Sequence, residues 1–160
     1  MKMDPRCAII AEKCERYGSL VTSVTEGVIA RVLREEGAPY TLCITDYKIL
    51  SAVAAAMDST VSMTEIARQL CLHPSSATRR VRHLAECGLV IKEQDENDDR
   101  RYFLSLTGEG VRLLGCIDSA LLAGTERMYA AITDEELQAV SSFMDKCVGY
   151  LSDALDRQRG

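Results

Sequence analysis

Apolar side chains at Ile10, Cys14, Tyr17, Val21, Val24, Val28 and Val32 recur at spacings of three and four, drawing one stripe down a long helix over residues 4–35. Gly18 and Gly27 weaken this helix without ending it. Gly37-Ala38-Pro39 stops it, because glycine suits the C-terminal cap and proline cannot continue the hydrogen-bond ladder. A second helix is expected from Thr45 as N-cap, with Tyr47, Leu50, Val53, Ala54 and Met57 turned inward, until Asp58-Ser59 breaks it. Residues 60–62 read as a short extended piece. Ser62-Met63-Thr64-Glu65 then spells a capping box that opens a short helix through Ile66, Ala67 and Leu70.

Beyond Cys71-Leu72-His73, Pro74 occupies a first helical turn, where its missing N–H costs nothing, and Ala77, Val81, Leu84 and Ala85 form the buried stripe up to a Gly88 cap. The opposite face carries Ser75, Ser76, Thr78, Arg79 and Arg82, all short or cationic. Leu89-Val90-Ile91 and the segment 102–106 are β-prone and flank the polar residues 92–101, so together they predict an antiparallel hairpin with a charged tip. Thr107 caps a helix carrying Val111, Leu114, Ile117, Leu121 and Leu122. A second capping box, Thr133-Asp134-Glu135-Glu136, opens a last helix with Leu137, Val140, Met144, Cys147, Leu151 and Leu155 inward.

At 160 residues and 47% apolar, the chain can bury a core without disulfide or metal staples. No apolar run is long enough to span a membrane and the N-terminus lacks a signal-peptide pattern, so a cytoplasmic protein with no membrane partner is expected. The seven cysteines are irregularly spaced with no C-x-x-C, which reads as reduced thiols and neither a metal site nor a cofactor site. A net charge of -5 argues against a general nucleic-acid coat, yet residues 73–85 hold Arg79, Arg80 and Arg82 with two histidines and no acid. A local basic face thus sits inside an acidic protein.

Two capped helices in close succession, followed by a hairpin with a polar tip, are the parts of a winged helix-turn-helix. The expected fold is mainly α with a small β-hairpin wing, flanked by amphipathic helices. The second of the two helices fits a major groove, with Ser75, Ser76, Thr78, Arg79, Arg80 and Arg82 toward bases and phosphates, while Arg100 and Arg101 on the hairpin reach an adjacent minor groove.

Residues 42–113 resemble the MarR family of bacterial transcriptional regulators. The likeness is carried by Ile44-Thr45-Asp46-Tyr47-Lys48-Ile49-Leu50, by Met63-Thr64-Glu65-Ile66-Ala67, by Ser75-Ser76-Ala77-Thr78-Arg79, and by Asp99-Arg100-Arg101 followed by Leu104-Ser105-Leu106-Thr107-Gly108-Glu109-Gly110. The resemblance implies a homodimer on a pseudo-palindromic DNA operator, with a dimerisation helix in residues 1–40, the DNA-binding domain in 41–107 and further dimerisation helices in 108–160. It implies that Asp99 orients Arg101 for the minor groove, a sound use of a carboxylate against a guanidinium fork. It also implies a pocket for a small aromatic or phenolic effector, near which Tyr17, Tyr40 and Tyr47 fall, although tyrosines in an amphipathic stripe more often serve as core.

Two departures stand out. The tip 93–99 is unusually acidic, and Arg80 stands where the family often has an apolar residue, so it either adds a phosphate contact or lies along the helix surface. Cys14 falls in the region where some members carry a peroxide-reactive cysteine, but without their neighbouring residues, which keeps a redox-sensing regulator as an alternative. A winged-helix module that binds protein instead of DNA is a second alternative, favoured by the acidic tip. No nucleophile and base pair or phosphate loop supports an enzyme, and His73 and His83 lack partners at metal spacing.

Overall fold

The computed structural model describes residues 5–56, 61–94 and 102–159, with the side chains of 5–7, 127–129 and 158–159 outside the description. In chain order the elements are α1 (Pro5–Glu35), α2 (Ile44–Ala55), β1 (Val61–Ser62), α3 (Met63–Gln69), α4 (Pro74–Glu86), β2 (Val90–Gln94), β3 (Tyr102–Leu106), α5 (Gly108–Tyr129) and α6 (Asp134–Arg159). The mainly helical chain with a small antiparallel sheet is the architecture that the hydrophobic pattern predicts.

Most helix ends follow local chemistry. Ser62 Oγ accepts from Glu65 N at 3.2 Å, Thr107 Oγ1 accepts from Gly110 N at 2.9 Å, and Thr133 and Glu136 exchange two bonds at 2.9 and 3.3 Å, so all three expected caps form. Helices α1 and α4 close on Gly37 and Gly88, both at positive φ (66° and 71°). The second helix begins earlier than its sequence suggests. Its N-cap is Cys43, whose N–H donates to Asp46 Oδ2 at 2.9 Å, and the expected cap Thr45 lies inside the first turn. The expected cap is a hydroxyl at the first position, whereas here the carboxylate reaches back from the third helical position.

Residues 5–121 form one unit. The sheet order is β1-β3-β2, with Val61 opposite Leu104 and the hairpin running from Val90 opposite Leu106 to Gln94 opposite Tyr102. Strand β1 is the extended piece expected at 60–62, now paired. Ile29 and Leu33 of α1, Ile49 and Leu50 of α2, Ile66, Leu84, Leu89, Leu104, Leu113 and Ile117 meet in one core. Thr107 ties the sheet exit to the α4 cap by donating from Oγ1 to Gly88 O at 2.7 Å. Chain packing there is so close that a Cβ on Gly110 would stand 2.1 Å from Leu89 O, which makes glycine obligatory at that position.

The helical stripes outside this core are real but uncovered. On α1, Val32 is buried and Val28 half-buried, whereas Ile10, Cys14, Tyr17, Val21 and Val24 are exposed. On α5, Leu114 and Ile117 are buried together with Leu113, while Val111 and Leu122, expected inward, are exposed. In the second unit, residues 122–160, Leu137, Val140, Met144, Leu151 and Leu155 of α6 are exposed and Cys147 is half-buried.

Candidate nucleic-acid interface

Helix α3 and helix α4 are joined by residues 70–73, a tight turn in which Cys71 takes φ 52° and Leu72 N donates to Ala67 O at 2.8 Å. At the start of α4, His73 is the N-cap. Its Nδ1 lies 2.8 Å from Ser75 Oγ and accepts from Ser75 N at 3.4 Å, which accounts for this histidine without a metal. Ala77, Val81 and Leu84 anchor the inner side of the helix.

Ser75, Thr78, Arg79 and Arg82 are all exposed and share the outer face of α4, as helical spacing requires. Thr78 spends its hydroxyl proton on Pro74 O at 3.0 Å, so outward it offers a methyl group and acceptor lone pairs. Such a group suits a thymine methyl or a base amino group. Ser76 is half-buried at the edge of this face.

Arg80 stands apart from its neighbours. Its Nη1 lies 3.3 Å from Oδ2 of Asp46, whose side chain is 1% exposed, while the arginine side chain is 35% exposed. It therefore pairs with a buried carboxylate of α2, an outcome that neither a phosphate contact nor a surface-lying chain anticipates. Three helical positions on, His83 Nε2 lies 2.9 Å from Thr41 O. Thr41, Leu42, Cys43, Asp46, Arg79, Arg80 and His83 line an open cavity of about 500 Å³ between the two helices. Sequence reasoning missed Asp46 and the Thr41–His83 link. The one signal available was the pair of unusual residues, a charged residue at Arg80 and a carboxylate in the first turn of α2.

Toward the loop end of the hairpin strands, Lys92 Nζ sits 3.6 Å from the Tyr102 ring centroid, a cation–π contact between the two strands. Asp99, Arg100 and Arg101 lie outside the described residues, as does most of the acidic tip.

The three tyrosines differ in their surroundings. Tyr17 is 52% exposed; Tyr40 and Tyr47 pack at the margin of the core, and none lines the cavity beside α4. Tyr47 donates to Asp118 Oδ1 at 2.9 Å, linking α2 to α5. Burial raises the phenol pKa of both Tyr40 and Tyr47, so each remains a neutral donor at physiological pH. Burial, with Asp46 adding to it, also pushes the Cys87 thiol up, which favours its protonated form. Cys14 is exposed. Among the described residues no group of three or more His, Cys, Asp or Glu could hold a metal ion, and no helix is long and apolar enough to cross a membrane.

Two capped helices with a cationic outer face, backed by a three-stranded sheet with a hairpin, define a winged helix-turn-helix. The chain matches the family model described as MarR family over residues 43–102. It is 34% identical over 70 residues to the HTH-type transcriptional regulator FarR of Neisseria gonorrhoeae, a match covering 44% of this chain and 48% of that protein. The chain thus spans about half the length of that relative.

Among solved structures, AbsC, a MarR family transcriptional regulator from Streptomyces coelicolor, matches with a TM-score of 0.78 at 18% identity, over 94% of this chain and 97% of that one. The S. aureus MepR–DNA complex matches with a TM-score of 0.70 at 15% identity, over 85% and 96%. NadR in complex with 4-hydroxyphenylacetate matches with a TM-score of 0.71 at 19% identity, over 92% and 97%. At these identities the likeness establishes a shared fold.

Proposed function

We propose that this protein is a sequence-specific DNA-binding transcriptional regulator without catalytic machinery, acting in the cytoplasm as a homodimer on a pseudo-palindromic operator. The observation that carries the reading is the outer face of α4, where Ser75, Thr78, Arg79 and Arg82 are exposed together on a MarR-family winged helix. Arg79 and Arg82 are placed by helical spacing to meet a guanine edge and a phosphate in one groove. On the family resemblance Arg100 and Arg101 are expected to reach the minor groove with Asp99 orienting Arg101, and repression is the expected consequence of occupying an operator.

The uncovered stripes of α1 and α6 support the homodimer. Tyr17, Val21 and Val24 on one helix, with Val140, Met144, Val148 and Leu151 on the other, present more apolar surface than a monomer ordinarily leaves in water. The 4-hydroxyphenylacetate complex of NadR supports a small phenolic or aromatic effector, which shifts occupancy only if it favours one dimer geometry over the other.

Fluorescence anisotropy with duplexes tiling the DNA upstream of the protein's own gene, at several salt concentrations and with excess nonspecific competitor, tests the reading. Saturable binding to one tile by two protomers is expected. Equal, weak binding to all tiles, together with capture of a protein by the same α4 face, would overturn it in favour of a protein-interaction module.

A further inference from the structure

Helix α4 has three faces. Ala77, Val81 and Leu84 turn to the core, Ser75, Thr78, Arg79 and Arg82 turn outward, and Arg80 and His83 form a polar seam against the first turn of α2 and the segment before it. The seam is built around a carboxylate that water does not reach. Asp46 is 0% exposed, and its Oδ2 accepts both the Cys43 N–H and an Arg80 N–H. Among the described residues its Oδ1 finds no hydrogen-bond partner. A charge so placed depends heavily on the guanidinium beside it, because few other groups compensate for the lost hydration.

We infer that Asp46 and Arg80 are a positioning pair for the DNA-reading helix. The carboxylate withdraws Arg80 from the set of DNA-contacting cations and fixes the rotation of α4 about its own axis. Arg79 and Arg82 are thereby held on the outer face, and the same carboxylate caps α2, so the start of α2 and the middle of α4 move as one piece. A rotation of α4 by a fraction of a turn would carry both arginines away from the base edges, so the pair governs affinity without touching DNA. The inference rests on the DNA-binding reading.

The test compares Asp46→Asn, Arg80→Met and the double variant with the wild type, by thermal unfolding and by anisotropy on the tile that the wild type binds, well below every melting temperature. Asparagine retains the acceptor for the Cys43 N–H while removing the charge. Each single variant is expected to lower Tm by roughly 5–10 °C and to weaken specific binding about tenfold, with the salt slope unchanged; the double variant recovers most of both. If Arg80 contacts a phosphate, Arg80→Met instead lowers the salt slope by about 1 and Asp46→Asn does not, which overturns the pair. A purely structural pair lowers Tm but leaves the affinity of the folded protein unaltered, which overturns the positioning role. If the wild type prefers no tile, it is the DNA reading that fails; the thermal cycle then still decides the pair, and additive losses in the single variants would reject it.

Discussion

Two regions of this chain share the same spacing of apolar side chains and end in opposite surroundings. In the winged unit, Ile49, Ile66, Leu84, Leu104 and Ile117 are no more than 2% exposed. Along α1 as far as Val24 and along α6, Tyr17, Val24, Val148 and Leu151 stand at 52–61% exposure. A period of three to four residues says that a helix has a face to cover. It does not say whether the cover comes from the same chain, and here the contrast separates a self-sufficient winged core from helices whose apolar faces stand exposed.

The sharpest way to break this comparison is to make one truncation in both regions. Leu84→Ala removes a fully buried anchor of α4 and is expected to cost about 2–5 kcal/mol in urea unfolding. Leu151→Ala, at an exposed position, is expected to cost under about 0.5 kcal/mol in dilute protein and more only at concentrations where chains associate. Equal, concentration-independent losses would erase the distinction between the regions.

The exposed stripe itself can be charged. Val24→Asp combined with Met144→Asp is expected to shift light scattering from dimer to monomer with helical circular dichroism retained, since each side chain removed from a covered face forfeits about 1.5–3 kcal/mol. Unchanged mass would show that these faces do not join two copies.

Within the winged unit, Gly110→Ala forces a methyl group against Leu89 O and is expected to destabilise by about 1–3 kcal/mol, read as a lower denaturation midpoint. Arg79→Ala is expected to leave that midpoint unaltered while weakening DNA binding by about 1–3 kcal/mol, with a salt slope shallower by about 1. The two variants divide core from interface inside one unit. The smallest effect is a gain: Cys71→Gly relieves a left-handed cysteine at φ 52° in the turn between α3 and α4, and should raise stability by about 0.5 kcal/mol after the added freedom of the unfolded chain is subtracted. A fall in Tm would mean that the turn relies on the thiol.

Much of the fold was legible because its signals are local. The Ser62, Thr107 and Thr133 caps, Pro74 in the first turn of α4, and Gly37 and Gly88 at helix ends each involve residues within four positions of one another. The start of α2 was misread for an equally local reason, since the cap there is supplied by Asp46 from the third position and not by a hydroxyl at the first. The outward face of α4 was legible as well, because helical spacing alone gathers Ser75, Thr78, Arg79 and Arg82. Its one stray member, Arg80, finds its partner on another helix, which spacing along α4 does not reveal.

What the sequence by itself determined is the set of elements, their boundaries within a few residues, and which side of each helix is apolar, since propensity, capping and periodicity act along the chain. The tertiary structure alone decided which apolar faces find cover, that β1 pairs beside β3, and that Asp46 meets Arg80 across 34 positions of sequence. Those outcomes depend on which distant segments arrive at the same place. A buried charge is tolerable only once a partner of opposite sign has arrived there too.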